Sequence, residues 1–481
     1  MFWIKKYKSL IILCIVFFTL YSLISLVNHY NFRTFALDLG AYTNALFDYL
    51  NLNLNDSTVF KETEENLLAD HFDIYLIIFS PLTILFKTYT LLIIQIIFIL
   101  FGGIGIYKIF TYNNLNNKIA LYATIYFYLF YGVFSSVAYD YHSNVIAASL
   151  VPWLFFYIQK QKLFFSSLCI LFIIIGKENM SFWLTFILIG LTIEYRKNII
   201  LRNYLISYSL ISFLSFIIIT NFIMPKIANN GNYPHFNYSV LGNTIFEAFI
   251  HLITHPTHSF KTLFINHNQS SFGDFVKIET HLILLFSGLF FLFKKPHYLI
   301  MLIPIYFQKF FHNNIAMWGI GGQYNIEFAP IFAIGIFKVI EDIQSIKVQK
   351  YLIVICIILV SVSTIRTMDN TIFFTDKNRI RWYKKGHYTR EYNVKNIHEQ
   401  LQKIPKNAIV SAQSPFLPHL SLRDKIYQFP IIKDAEYIVF SNLENPYPIN
   451  INQFDSITNS LKIEPNWKII YDNEITILQK K

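Results

Sequence analysis

The chain has 481 residues, of which 54% are hydrophobic, 18% aromatic and only 14% charged, against about 25% charged in an average soluble domain. That balance excludes an ordinary soluble enzyme and makes a membrane protein the starting expectation. The formal net charge of +11 does not point to nucleic acid, because Lys and Arg stand in short clusters between apolar runs instead of gathering on one face.

The opening stretch "MFWIKKYKSLIILCIVFFTLYSLISLV" has the basic start of a signal peptide, but its apolar part is about 19 residues long and no small-residue cleavage site follows. A retained transmembrane helix over 9–27 is expected. Further apolar runs that span, or nearly so, follow at about 90–110, 119–136, 143–158, 163–176, 179–195, 204–223, 281–293, 297–310, 324–340 and 351–367, eleven in all. The predicted fold class is an α-helical polytopic membrane protein. Cys14, Cys169 and Cys356 all lie inside these runs, so a disulfide framework or a Cys-based zinc site is excluded and packing roles are expected.

Basic residues set the orientation. With Lys5, Lys6 and Lys8 on the cytoplasmic side, alternate connections contain Lys108 and Lys118, "QKQK" at 159–162, "YRKN" at 195–198 with Arg202, "KKPH" at 294–297, and Lys347 with Lys350. Every one of those connections is basic. The opposite connections, including the large loops 28–89 and 224–280, have few Lys or Arg for their length. The N-terminus is therefore expected in the cytoplasm. "IYLIIFSPLTILF", 74–86, is too short to span and contains Pro81; counting it as a span would invert every later loop, so an interfacial helix on the outer surface is expected.

The composition changes near 369, which divides a transmembrane domain, 1–368, from an extracytoplasmic domain, 369–481. Short β-rich runs at 407–413, 425–430, 435–441, 467–472 and 474–479 alternate with helical patterns at 394–404 and 453–463, the pattern of a small α/β domain. "LPHLSLR" looks like a turn into a short helix with His419 and Arg423 exposed, and Pro415 and Pro418 make it a rigid structural elbow.

With this topology the ionisable groups at the membrane edge fall on one side. Asp38, "DHFD" (70–73), "YDYH" (139–142) and "GKEN" (176–179) reach the outer face from four separate segments. Any one of them reads equally as an interfacial anchor; four together point to a site. Asp38, on a Gly-containing turn, suits a general base towards an acceptor hydroxyl or a ligand for a divalent cation, the bland alternative being the N-cap of a following helix. Asp70, His71 and Asp73 suit a metal or a phosphate, and Asp140 and His142 stand where one can hold the tautomer of the other, or simply form a solvated turn. Lys177 suits neutralisation of an anionic phosphate, with a plain Lys177–Glu178 anchor pair as the alternative. "NNIAMWGIGGQYNIEF" adds Trp318, three glycines and Tyr324, a composition for stacking on a sugar or closing over a substrate, or for a flexible connection. No P-loop, dinucleotide fingerprint or nucleophile elbow occurs.

The motifs "DLG" (38–40), "HF" (71–72), "YDYH", "GKE" (176–178), "FLPHLSLRDKIYQFP" (416–430) and "AEYIVF" resemble, in this order and over nearly the whole chain, a family of predicted prokaryotic membrane proteins numbered two thousand and seventy-nine among the domains of unknown function. That family looks like a branch of the C-type (GT-C) glycosyltransferases, which are polytopic enzymes using polyprenyl-phosphate sugars as donors. The resemblance implies a cytoplasmic-membrane location, a lipid-linked sugar donor, and a catalytic Asp in the first outer loop, the place of Asp38. The chain departs from the family pattern with Leu37 in place of an aromatic, Ser143 and Asn144 in place of Pro-Glu, and Asn179 in place of Asp. An amide cannot act as a base, so catalysis leans on Asp38, Asp140, His142, Lys177 and Glu178, with His71, Trp318 and Tyr324 binding substrate. A transporter or flippase of lipid-linked saccharides is the rival expectation, although mid-span polarity is sparse beyond Gln95; a non-catalytic assembly protein is the third.

Overall fold

The computed structural model of the protein describes residues 2–59, 64–112, 117–373 and 376–481, with the side chains of residues 2–6 and 117 outside that description. Helices dominate. Among the described residues, Tyr7–Tyr30, Tyr75–Tyr112, Ile199–Ile227 and Ile346–Asp369 are long and apolar enough to cross a membrane. Lys118–Leu129 and Tyr131–Val137 make a fifth span if taken together, bent by 48°. The bend falls at Phe130, whose extended backbone (ψ 132°) interrupts the helix. The other apolar runs fold as shorter helices, among them Ser143–Gln159, Leu163–Ile174, Glu178–Glu194, Val276–Phe286, His297–Phe310 and Phe328–Glu341. Each is shorter than the ~20 residues of a perpendicular span, so length supports four or five crossings and not eleven.

Side-chain exposure agrees with a lipid-facing surface. Ile15, Val16, Leu210 and Leu214 stand uncovered on Tyr7–Tyr30 and Ile199–Ile227, as expected of helices apolar all round. Gly102 and Gly105 let Thr90–Tyr112 close against Ser143–Gln159, since a Cβ at either would come within 2.9 Å of Ser149 O or Pro152 Cβ. The 74–86 segment, expected as a separate interfacial helix, runs on into the next one: Tyr75–Phe79, a tighter turn Ser80–Leu82 at Pro81, which has no amide to donate, and Thr83–Phe86 lead through Lys87–Tyr89 into Thr90–Tyr112, all within the stretch Tyr75–Tyr112.

The tail carries five strands where five short β-rich runs predict them: β1 (Val410–Ala412), β2 (Ile426–Gln428), β3 (Tyr437–Phe440), β4 (Trp467–Asp472) and β5 (Thr476–Lys480). They form one sheet in the order β2-β1-β3-β5-β4, with β1 parallel to β2 and β3, and β5 antiparallel to β3 and β4. The two-residue alternation of a strand divides the sheet between two cores. Ile438, Phe440 and Leu478 meet Phe454 and Leu461 of the helix Ile451–Ile463. Val439, Val410 and Ile477 share a second core with Ala36, Leu39, Leu46 and Leu76 of the 28–89 segment. One apolar core thus joins residues on both sides of position 369, and the sheet lies against the loop that carries Asp38.

Candidate functional site

The first span ends at Tyr30, and the chain behind it is held by the tail. Arg33, buried, donates to the carbonyls of His387 (2.5 Å), Gly386 (2.7 Å) and Thr389 (2.9 Å). Ala36 N donates to Ser414 Oγ (3.2 Å) and Phe35 N to Asp140 Oδ2 (2.9 Å). These anchors lead into a single π-helical turn, Ala36–Gly40, a widened geometry that recurs at functional sites. Asp38 sits inside that turn. It does not cap the next helix, Ala41–Leu50, whose N-cap position is Gly40 with no side-chain cap. Gly40 is demanded by packing, because a Cβ there would lie 2.5 Å from Leu417 Cδ2, on the short tail helix Leu417–Leu420. The tail therefore forms the back wall of the Asp38 turn.

The "YDYH" turn lies alongside. Its backbone is clamped by Gln95, which donates through Nε2 to Asp140 O (3.0 Å) and accepts at Oε1 from His142 N (2.9 Å). The Asp140 carboxylate does not orient His142, as the spacing suggested; it accepts from Phe35 N and from Arg379 Nη2 (2.6 Å), in a pair that is almost wholly buried. The Arg379 guanidinium also lies over the Tyr139 ring at 4.7 Å and the Phe35 ring at 5.0 Å. His142 is buried with its ring stacked on Tyr139 (5.6 Å) and its Nε2 without a partner, and burial first, then Lys177, His71 and Arg379, hold it neutral. Burial pushes the Asp38 carboxyl well above the ordinary carboxylate range; Asp140 and Asp70 add to the rise, and Arg379 and Lys177 oppose it.

A second cluster joins "DHFD" to "GKE". Ile74 N donates to Ile175 O (3.1 Å) and Tyr75 Oη to Phe172 O (2.6 Å), and Gly176 makes room, since a Cβ there would meet the Tyr75 ring at 2.7 Å. His71 then bridges the two partners of the dipeptide, Nδ1 to Glu178 Oε1 (3.2 Å) and Nε2 to Lys177 Nζ (3.3 Å). A carboxylate only accepts and an ammonium only donates, so the tautomer is fixed with the proton on Nδ1. Phe72 N holds the other oxygen, Glu178 Oε2 (3.1 Å). Burial works against the Glu178 charge, but His71 and Lys177 outweigh it and bring the pKa to about 2. His235, from the 224–280 connection, stacks on His71 (4.2 Å) and donates to Asp70 O (2.6 Å), with Asp70 Oδ1 at 3.4 Å. Burial raises the Asp70 carboxyl and His71, His235 and Lys177 pull it net below its usual range; His235, despite burial, is raised by Asp70 and Glu178.

Asp70, His71 and His235 can each offer one atom within 4.8 Å of the others, the grouping a metal needs. Their chemistry does not suit one. Both ring nitrogens of His71 are engaged, the stacked rings are 17° from parallel so their lone pairs do not converge, and the Lys177 amine opposes a cation. Asp73, grouped with Asp70 and His71 by sequence, instead accepts from Tyr75 N (3.0 Å) and Tyr141 Oη (3.2 Å). The arrangement favours an anion against the remaining N–H groups of Lys177.

The loop after His297–Phe310 completes the surroundings. Lys309 Nζ donates to Gly319 O (3.0 Å) and Tyr324 O (3.3 Å), and Ser135 Oγ to Ile320 O (2.9 Å), which presents Gln323 and Tyr324 beside Tyr139. Asp38, ahead of burial, raises the hydroxyl pKa of Tyr139. Asn144 Nδ2 donates to Glu327 Oε1 (2.8 Å), so the amide that departs from the resemblance has an acid as its partner. Trp318 is not brought to the site. It is fully buried, donates to His312 O (2.7 Å) and carries the Lys277 amine 4.4 Å above its ring, which makes it the loop's foundation.

Asp38, His71, Asp140, His142, Lys177, Glu178 and Tyr324 thus gather in one region. Arg379, His235, Gln95 and Glu327 join them, and of these only Gln95 carried a sequence signal, as the polar residue in mid-span. His419 and Arg423, expected to be exposed, support the structure: Arg423 is buried on the carbonyls of Leu420 (2.5 Å) and Ala408 (2.7 Å), and His419 stacks on His29 at 4.1 Å. The chain belongs to the family described as predicted membrane protein (DUF2079), which it matches over residues 28–476. No curated protein matches it.

Proposed function

We propose that the protein is a membrane glycosyltransferase that moves a sugar from a polyprenyl-phosphate donor to an acceptor hydroxyl at the outer face of a prokaryotic cytoplasmic membrane. The observation that supports this reading is that Asp38, buried and with a raised pKa, lies within electrostatic reach of the Lys177 amine, which is held by His71. A carboxylate near the pH of its surroundings is an effective general base, and a partly desolvated amine is an effective partner for a phosphate. The acceptor oxygen attacks the anomeric carbon as Asp38 takes its proton. The bond from that carbon to the phosphate oxygen breaks, its electron pair leaves with polyprenyl phosphate, and the anomeric centre inverts. Lys177 neutralises the leaving charge. The comparison with GT-C enzymes enters this reading as an architectural analogy.

In this reading the eleven apolar segments cross or enter the bilayer, the N-terminus is cytoplasmic, and 369–481 lies outside with the site. A transport route is less well supported, because Gln95, the polar residue in mid-span, is consumed in clamping the 140–142 backbone. The test is purified protein in lipid vesicles with a panel of polyprenyl-phosphate sugars. The native protein should consume one donor and Asp38→Asn should not. Full donor consumption by a folded Asp38→Asn protein would remove the base, and movement of lipid-linked saccharide across sealed vesicles without its consumption would favour the transporter.

A further inference from the structure

The 224–280 connection carries an apolar surface that the described residues leave uncovered. Within it the helix Ile245–Thr254 bends at His255 into Pro256–Thr262, and His251 Nε2 lies 3.0 Å from His258 Nδ1 across the bend. The first helix of this pair has three distinct faces. Ala248 and Leu252 turn inward, to a small core with Phe307 and Phe311. Glu247 and His251, one turn apart, form a polar face. Phe246, Phe249, Ile250 and Ile253 recur at the i, i+3, i+4, i+7 spacing of a single stripe, yet they are 70%, 61%, 42% and 62% exposed. Phe260, on the second helix, is exposed as well.

Depth is the first indication of what covers the stripe. At the end of the second helix, Thr262 O accepts from Lys277 Nζ (2.5 Å) and Leu263 O from His281 Nε2 (3.1 Å). Between those two donors, on the helix Val276–Phe286, stands Glu279, which accepts from Arg366 Nη2 (2.7 Å) and Ile372 N (2.9 Å). Arg366 belongs to the last turn of Ile346–Asp369, one of the helices long and apolar enough to cross a membrane. The helix pair is thus tied to the level where a crossing helix ends, which is where an interfacial helix rests.

Continuity is the second. The Phe264 ring lies 4.6 Å from that of His281, and beyond His281 the same helix exposes Leu282, Leu285 and Phe286, as Ile346–Asp369 exposes Val362 and Ile365. The apolar surface of the pair therefore runs into the one that lipid covers on the crossing helix. An exposed apolar stripe with a polar face turned away from it, held at the end of a crossing helix, has the chemistry of a segment bound to a lipid surface.

We propose that this helix pair is a membrane-surface anchor: it lies in the headgroup layer of the leaflet where Ile346–Asp369 ends, with Phe246, Phe249, Ile253 and Phe260 among the acyl chains and Glu247 and His251 towards water. The small core beneath it includes Phe236 and Tyr238, so the anchor also supports the stretch that carries His235 to Asp70. The anchor depends neither on the transferase reading nor on which side of the membrane the site faces. The test uses the full chain in lipid nanodiscs with a nitroxide label on Phe249→Cys, Ile253→Cys or Glu247→Cys, the native protein treated alike giving the background of its own cysteines. Power-saturation paramagnetic resonance compares collisions with oxygen, which concentrates in lipid, and with a water-soluble nickel chelate. The ratio of oxygen to nickel accessibility at 249 and 253 should exceed that at 247 several-fold. All three side chains are exposed, so the fold should be kept, and size-exclusion chromatography verifies it. A ratio at 249 and 253 no higher than at 247 would put the stripe in water, and labels there shielded from both reagents would put a protein, such as a second copy, in the place of lipid; either result overturns the proposal.

Discussion

Asp38 stands under opposing influences: burial and Asp140 favour its neutral form, Arg379 and Lys177 its charged form. As a base it must be deprotonated, so transfer should fall as pH drops through its raised pKa, giving an acid limb above the ordinary carboxylate range. Removing a charge that lowers that pKa must move the limb to higher pH. Lys177→Gln is expected to do so, beyond any loss of rate, and a pH–rate profile whose limb stays fixed or moves down would contradict it. Asp73 provides a stability test of the same physics. Burial lifts its pKa to about 7, so its folded form prefers the proton; this contribution is present below the unfolded pKa and is lost as pH rises through about 7. Asp73→Asn should therefore melt higher relative to the native protein at pH 8 than at pH 5, by the detergent-solubilised melting temperature. Asp38 and Lys177 are legible in the sequence because a charge beside an apolar run is conspicuous. Arg379 and His235 are not, since each stands in a polar stretch where another Arg or His is ordinary.

At the scale of elements, glycines and backbone clamps set the geometry. Gly40 lets Leu417 press on the π-helical turn, and Gly176 lets Tyr75 tie "DHFD" to "GKE". Gly40→Ala should cost about 1–3 kcal/mol of stability through overpacking and should also displace Asp38. Leu417→Ala in the same protein should recover part of both, because the clash is with the Leu417 Cδ2 atom; melting curves of the single and double variants measure the coupling. An independent cost for Gly40→Ala, with no recovery, would mean that the two segments do not touch. The five strands are legible because β-branched and aromatic residues concentrate in five short runs. The bend at Phe130 splits what hydropathy alone presents as one continuous segment, whereas 74–86 and 90–110, separate by hydropathy, join in Tyr75–Tyr112.

At the scale of the molecule, the charge bias predicts sidedness directly. Leu443→Cys, on an exposed tail position, should react with an impermeant maleimide in intact spheroplasts, and Lys347→Cys only after lysis. The reverse pattern would invert the topology and move the site to the cytoplasm. Background should be low, since Cys169 and Cys356 are buried and Cys14 is half-buried in an apolar helix. Composition and periodicity by themselves determined that this is a helical membrane protein with a small terminal sheet, because transfer of apolar side chains from water is a local, additive property of each segment. Only the tertiary structure decided which polar groups meet. It brought Arg379 to Asp140, His235 to Asp70 and Leu417 to Gly40 across gaps of 239, 165 and 377 residues. The pairings of the tail with the 28–50 region go with the apolar core those two segments share, and no window of neighbouring residues contains that information.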